Sequence, residues 1–270
     1  MNYFIKFLIV IPTLNSHKLL PRIINSIKKQ TYTNWRVIFV DGGSHLEHIK
    51  FLNNLSKVDQ RFSWISQNKK HKGIYGAMNQ GFIAANKDEF ILFWGSDDIA
   101  SSSNVFNDLN NIFLNKYIKN KNILPHLFIC KAQYFKNANN INGRYSYFNQ
   151  KNKFFNQKEF RRKLFFGYSL PHQGTLFSPK SKLLQKNYSL NYELASDLDY
   201  FLKISNNNSL LTYCLDFKIV HIAEGGVSSQ KTILRLKEVF NIYKEQFGIF
   251  LFIPFILRFL RRLISLIIKV

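Results

Sequence analysis

The chain is short of acid, short of cysteine and free of any long apolar run. Its 270 residues hold 16 Asp and Glu against 38 Lys and Arg, a net charge of +22. So large a deficit of negative charge implies an anionic partner: nucleic acid, a phosphorylated ligand or an anionic membrane face. There are two cysteines, Cys130 and Cys214, each in an apolar segment with no metal-ligand spacing around it. They read as reduced core thiols of a cytosolic protein and exclude a disulfide framework. Residues 1–11 lack the basic start and small-residue cleavage site of a signal peptide. The longest charge-free stretch, Phe247 to Leu257, is too short to span a bilayer and is broken by Pro254. No G-x-G-x-x-G follows the first apolar segment, which argues against a nicotinamide-dependent dehydrogenase. No internal repeat and no Gly/Ser/Pro-rich linker divides the chain.

What is present is aromatic and apolar material for a core, including 27 Phe, in a pattern of alternating strands and helices. Residues 3–11 and 37–40 read as buried strands, 62–65 as a shorter one and 90–94 as a fourth. Leu20, Ile23, Ile24 and Ile27 recur at helical spacing and predict a helix over 17–29. Residues 45–57 and 74–86 predict two more. Such alternation means βαβ units and a parallel sheet with right-handed crossovers. Beyond residue 100 the alternation fails. The pattern there predicts helices at 103–117, 158–166, 193–205 and 229–247, strands at 127–130, 174–177 and 217–222, and a hairpin over 133–148. This half is expected to continue the same sheet. The last stretch, 247–270, sets Arg258, Arg262, Ser265 and Lys269 on one helical stripe, with Phe255, Ile256, Phe259, Leu263, Leu266 and Ile267 opposite. That is the pattern of a helix lying in a membrane interface; the alternative is a helix that closes a core or a dimer.

The polar residues fall at the strand ends. Thr13 and Asn15 follow the first strand, Asp41-Gly42-Gly43-Ser44 the second, and Gly95-Ser96-Asp97-Asp98 the fourth. In an open α/β sheet these positions converge where ligands bind. Two adjacent carboxylates call for a hard cation such as Mg²⁺ or Mn²⁺, although an Asx turn capping a helix explains the same pair. Asp-Gly-Gly-Ser taken alone is also an ordinary turn. Lys72 stands just ahead of a helix start, where a cation and free N–H groups favour an anion. Tyr75 stacks on a ring or caps the core.

The ordered set of Val10-Ile11-Pro12-Thr13-Leu14-Asn15, Val40-Asp41-Gly42-Gly43-Ser44, Lys72-Gly73-Ile74-Tyr75 with Ala77-Met78-Asn79, and Gly95-Ser96-Asp97-Asp98 resembles the family-two glycosyltransferases of GT-A fold, in the branch that makes bacterial surface polysaccharide. The resemblance implies an α/β fold with a mixed, mainly parallel sheet flanked by helices and a C-terminal amphipathic tail. It divides the chain into 1–246, with a nucleotide-sugar half at 1–100 and an acceptor half at 101–246, and the tail at 247–270. It implies an inverting transfer from a nucleotide-diphosphate-sugar, a UDP-sugar, assisted by Mg²⁺ or Mn²⁺. The basic surface and tail suggest that the acceptor is a lipid-linked saccharide met at the inner face of the plasma membrane, in capsule, O-antigen or exopolysaccharide synthesis. By the same resemblance Pro12, Thr13, Asn15, Asp41, Lys72, Gly73, Tyr75 and Asp97 bind the donor, and Asp98 with Asp97 holds the metal. His172 and Gln173 meet the acceptor, unless His172 is simply a satisfied buried histidine. Asp197 is the general base, with Asp199 its rival and a helix N-cap the plainer role. Glu224-Gly225-Gly226-Val227-Ser228 resembles a late loop of the branch. His71 and Gly76 replace carboxylates common in the family beside the donor. A basic nucleic-acid binder, or a nucleotide-binding α/β enzyme of another class, would share parts of this pattern but not carboxylates and glycines at successive strand ends; nucleic acid is not an expected partner.

Overall fold

The structure, a computed structural model, describes residues 4–119, 123–136, 143–149, 151–225 and 231–267. Its first half is the expected alternation: β1 (Lys6–Thr13), α1 (Leu20–Lys28), β2 (Trp35–Asp41), α2 (Leu46–Val58), β3 (Phe62–Ser66), α3 (Gly73–Ala84) and β4 (Glu89–Phe93). The four strands pair in parallel, with β1 between β2 and β4 and β3 outside β2. Buried on both faces, β1 alternates its side chains between two cores: Leu8 and Val10 enter one, Phe7, Ile9 and Ile11 the other. Helices α1 and α2 cover the second core, and α3 covers the first. Gly81 sits where α3 meets β1, and a Cβ there would come within 2.5 Å of Val10 Cγ1. Arg36 on β2 reaches past β1 to Glu89 on β4 through two hydrogen bonds of 2.5 and 2.7 Å. The Glu89 side chain is 4 % exposed.

The same sheet runs on through the second half. After β5 (Ile99–Ala100) and α4 (Val105–Lys119) come β6 (Leu127–Phe135), β7 (Tyr145–Ser146), β8 (Lys153–Asn156) and α5 (Gln157–Phe165). Then follow β9 (Thr175–Phe177), α6 (Ser181–Leu184), α7 (Ser196–Ile204), β10 (Leu211–Ala223), α8 (Thr232–Phe247) and α9 (Phe252–Ile267). The order across the sheet is β3-β2-β1-β4-β9-β6-β10-β5. Strand β9 runs antiparallel to both β4 and β6, and β10 runs parallel to β6. The carboxyl ends of β1, β2, β3, β4, β6 and β10 therefore share one rim with the amino end of β9.

Three differences from the sequence pattern have physical causes. Strand β10 begins at Leu211 rather than 217, because it breaks register between Cys214 and Lys218, where exposed Asp216 interrupts the apolar run. The short strands β5 and β8 pair on β10 through backbone contacts that impose no side-chain period. Helix α7 begins at Ser196, not 193, because residues 193–195 spend their amides on another helix, as described below. The expected hairpin is present as the β6–β7 pair, and its tip, residues 137–142, lies outside the described residues. Cys130 and Cys214 are buried free thiols.

Glu89→Gln removes the charge from the buried partner of Arg36 while keeping its shape. It is expected to lower the unfolding free energy by about 2 kcal/mol, read from urea denaturation. An unchanged midpoint would mean that the pair is replaced by water at no cost.

Candidate functional site

One side of the rim is built around Asp41. Its carboxylate accepts hydrogen bonds from the amides of Gly43 (3.0 Å) and Ser44 (2.9 Å), from Ser44 Oγ (2.5 Å) and from Thr13 Oγ1 (3.3 Å). Burial pushes this carboxyl up, but the Ser44 and Gly43 hydrogen bonds and His48 outweigh it and hold it below the usual carboxylate range. His48 is fully buried, with Nε2 3.4 Å from Asp41 Oδ1. Asn15, at a positive φ of 52°, ties the first loop to the second: its amide donates to Ser44 Oγ and its Oδ1 accepts from His45 N. Pro12 pairs with Val40 at the end of β1. Beyond β3, Gln67 N donates to the Asp41 carbonyl, and Gln67 Nε2 donates to the carbonyls of His71 and Gly73. This bridge seats the start of α3, with Lys72 as its N-cap and Gly73 at φ +83°. Gly76 faces the His71 carbonyl so closely that any Cβ would overlap it. An aspartate has no room there.

Asp97 and Asp98 stand just past β4. Trp94 Nε1 donates to the Gln173 carbonyl at 3.0 Å and so links this end to the segment before β9. Gly95 N donates to Asp98 Oδ2 at 2.6 Å. A Cβ on Gly95 would lie 2.9 Å from Asp97 Oδ1 and 3.3 Å from Asp98 Oδ2, so both carboxylates close over the same point. Burial first, and then Asp97, push the Asp98 carboxyl up to about 7 against the opposing Gly95 amide. Burial also raises Asp97, with Arg22 opposing. Neither forms a salt bridge among the described residues, and no group of three His, Cys, Asp or Glu among them could hold a metal. Two adjacent carboxylates that resist ionising together fit a hard divalent cation that takes its remaining ligands from phosphate oxygens and water.

Asp197 lies in the first turn of α7 and meets both neighbouring segments. Tyr75 Oη donates to its Oδ1 at 3.4 Å, His172 Nδ1 lies 3.6 Å from its Oδ2, and Leu198 N donates to Oδ1 at 2.8 Å. Burial pushes the carboxyl up, yet His172, Arg258 and the Leu198 amide together bring it below the usual range. It is an anion at neutral pH. Asp199 points elsewhere: fully buried, it takes Lys203 Nζ at 2.7 Å. The N-cap position belongs to Ala195. Gln173 and His172 are both half-buried. Glu224 N donates to the Phe135 carbonyl at 2.9 Å, and Gly225 has φ +98°; residues 226–228 of that loop lie outside the described residues.

The residue that sequence reasoning passed over is Glu238 of α8. Its buried carboxylate accepts the amides of Glu193, Leu194 and Ala195 at 2.8, 2.8 and 2.9 Å. These amides lead directly into α7, so Glu238 sets where Asp197 points. One of two acids on an amphipathic helix, 41 residues from the one it positions, leaves no local signal. Asn79 makes a comparable tie: its side chain closes two hydrogen bonds, 2.9 and 2.7 Å, with the Tyr188 backbone. Glu238→Ala is expected to speed hydrogen exchange at amides 193–195 by at least about tenfold, since each loses a charge-assisted bond. Unaltered exchange there would show that the clamp is not what orders the segment.

Residues 8–173 match the family model described as glycosyl transferase family 2. A PGL/p-HBAD biosynthesis glycosyltransferase of Mycobacterium bovis is 37% identical over 93 residues, 34% of this chain and 35% of that protein. A GalNAc(5)-diNAcBac-PP-undecaprenol beta-1,3-glucosyltransferase of Campylobacter jejuni is 30% identical over 93 residues, 34% of this chain and 30% of that protein. These matches thus span about a third of each relative's length. Among solved structures, S. aureus TarS 1-349 in complex with UDP-GlcNAc superposes with a TM-score of 0.67 at 18% identity, covering 89% of this chain and 66% of TarS 1-349. A Pyrobaculum calidifontis mannosyltransferase in complex with GDP-Man and Mn2+ gives 0.61 at 13% identity, over 95% of this chain and 70% of that one. The shared fold is that of the GT-A glycosyltransferases. A family model that runs through every strand end from Thr13 to Gln173, over a sheet that gathers those ends on one rim, makes this chain a member of glycosyl transferase family 2.

Proposed function

We propose that the chain moves a sugar from a nucleotide-diphosphate-sugar, a UDP-sugar, to the hydroxyl of a lipid-linked saccharide, with inversion at the anomeric carbon, in the assembly of a surface polysaccharide such as capsule or O-antigen. The observation that carries this reading is the meeting of Asp197 with Tyr75 and His172 beside Asp97 and Asp98. Asp41, Thr13, Asn15 and Pro12 form the wall for base and ribose, with Lys72 and Gly73 at the diphosphate and Tyr75 between donor and base. Asp98 and Asp97 would hold Mg²⁺ or Mn²⁺, which neutralises charge on the departing diphosphate. The acceptor oxygen forms its bond to the anomeric carbon as the bond from that carbon to the diphosphate oxygen breaks. Asp197 takes the hydroxyl proton, and the diphosphate leaves with the bonding pair. His172 and Gln173 orient the acceptor. His172 also keeps Asp197 ionised before the step.

The tail supports action at a membrane surface. No helix among the described residues is long and apolar enough to cross a membrane. Helix α9 instead leaves Ile253, Ile256, Leu260, Leu263 and Ile264 exposed, 43–55% each, along one flank of a strongly basic protein. Apolar side chains flanked by cations suit the headgroup region of an anionic leaflet. These features support a cytoplasmic enzyme peripherally bound to the inner face of the plasma membrane.

Asp197→Asn is expected to lower kcat by about 10²–10⁴-fold with the donor Kd unchanged within about twofold. Near-normal turnover would assign the base elsewhere. In a thermal-shift screen of nucleoside diphosphates and nucleotide-sugars, one of them with Mn²⁺ is expected to raise the Tm, and Asp98→Asn to remove the metal-dependent part. A screen in which no nucleotide stabilises the protein would refute the donor reading. Replacing Ile253, Ile256 and Leu260 together by Ser is expected to release the protein from anionic liposomes in a flotation assay, and persistent flotation would place membrane contact elsewhere.

A further inference from the structure

Helix α9 docks on the body through Pro254, Phe255 and its arginines, and leaves the flank of Ile253, Ile256 and Leu260 exposed. Gly167, at φ +76°, lies so close to the Arg258 backbone that a Cβ would overlap it. Arg261 Nε donates to the Phe166 carbonyl at 2.8 Å, and its guanidinium lies 3.7 Å over the Tyr168 ring. This seating turns Arg258 inward, toward Asp197. Arg235 of α8 and Arg144, just before β7, stand in the same corner. Arg144 lies 3.9 Å over the Tyr134 ring at the end of β6. Arg235 feels both Arg258 and Arg144, and Arg262 of α9 feels all three.

Among the described residues, Arg144, Arg235 and Arg258 lack a matching set of anions. Arg258 Nη1 is buried with no hydrogen-bond partner among the described residues. Among the described residues, no side-chain hydrogen bond or salt bridge engages Arg144, Arg235 or Arg258. Burial first, and then its arginine neighbours, lower the Arg235 pKa, while Asp197 pulls the other way. Gathering like charges around a partly buried, unpaired donor is costly unless a ligand supplies the oxygens. Guanidinium forks match phosphate oxygens in number and plane. The corner is on the base's side of the site: Arg258 acts on Asp197, whereas the arginine that acts on Asp97 is Arg22. The donor's diphosphate belongs with Asp97 and Asp98, so the arginines are left for the other substrate.

We propose that Arg144, Arg235 and Arg258 form a binding site for a phosphate or diphosphate group carried by the acceptor. This deepens the proposed function and rests on its assignment of donor and acceptor sides.

The test is calorimetric titration of the full chain with inorganic pyrophosphate and with farnesyl diphosphate. The nucleotide site is first filled by Mn²⁺ and the nucleoside diphosphate found in the screen. Wild type is expected to bind both probes. Arg235→Gln and Arg258→Gln are each expected to weaken binding about tenfold, and the double variant about a hundredfold, with the nucleotide Kd and Tm near wild type. Arg258→Lys, which keeps the charge but loses the fork, should fall in between. Tighter binding of farnesyl diphosphate than of pyrophosphate would assign the phosphate to a lipid carrier; equal binding would assign it to a soluble one. Folded variants that bind both probes as wild type does would overturn the site, and so would displacement of the probes by the nucleotide. Titration without nucleotide separates the two failures. Arginine-dependent anion binding without nucleotide binding refutes the donor reading alone, and the reverse refutes this site alone.

Discussion

Strand direction is the constraint on which the rest depends. Strands β1, β2 and β4 run parallel, so Thr13, Asp41 and the Asp97–Asp98 pair emerge on one rim. Strand β9, wedged antiparallel between β4 and β6, adds its amino end to that rim and brings His172 and Gln173 with it. Had β9 run parallel, its His-Gln segment would lie across the molecule from the carboxylates. The ladder is held by backbone bonds and by alternation into two cores, and the polar loops inherit their positions from it.

Charge explains the rest of the architecture. A chain of +22 places several of its few acids where they do structural or chemical work. Asp41 and Glu238 each gather backbone amides, the first shaping a loop and the second the entrance to α7. Asp98 is the opposite case, a buried carboxyl with too few donors, which makes it a natural ligand for a cation. Asp197 lies between these extremes, buried enough to be dry but kept ionised by His172 and Arg258. The three environments differ in their donors, and that difference separates their roles.

Much of this was legible in the chain. The motifs at Thr13, Asp41, Lys72-Gly73, Asp97-Asp98, His172-Gln173 and Asp197 are local, because each follows a strand or opens a helix whose period is visible. The rivalry of Asp197 and Asp199 was not resolvable from spacing, since two residues on a helix differ only in the face they present. Packing gives them different surroundings: Asp199 is buried against Lys203, while Asp197 meets Tyr75 and His172, which supports the proposal that Asp197 is the base. The basic stripe of the tail was also visible, but not its direction. An amphipathic pattern says that two sides differ, not which of them meets the body.

What the sequence alone determined was the alternating α/β order, the strand ends that carry chemistry, and the family resemblance. These depend on neighbours within a few residues, where hydrophobic period and turn chemistry act. The tertiary structure decided the partners: Tyr75 with Asp197, Glu238 with the amides before α7, the carbonyl of His71 against Gly76, and Arg258 turned toward Asp197. These contacts join residues brought together by the sheet order and by helix docking. Packing complementarity across such distances leaves no periodic trace in the chain.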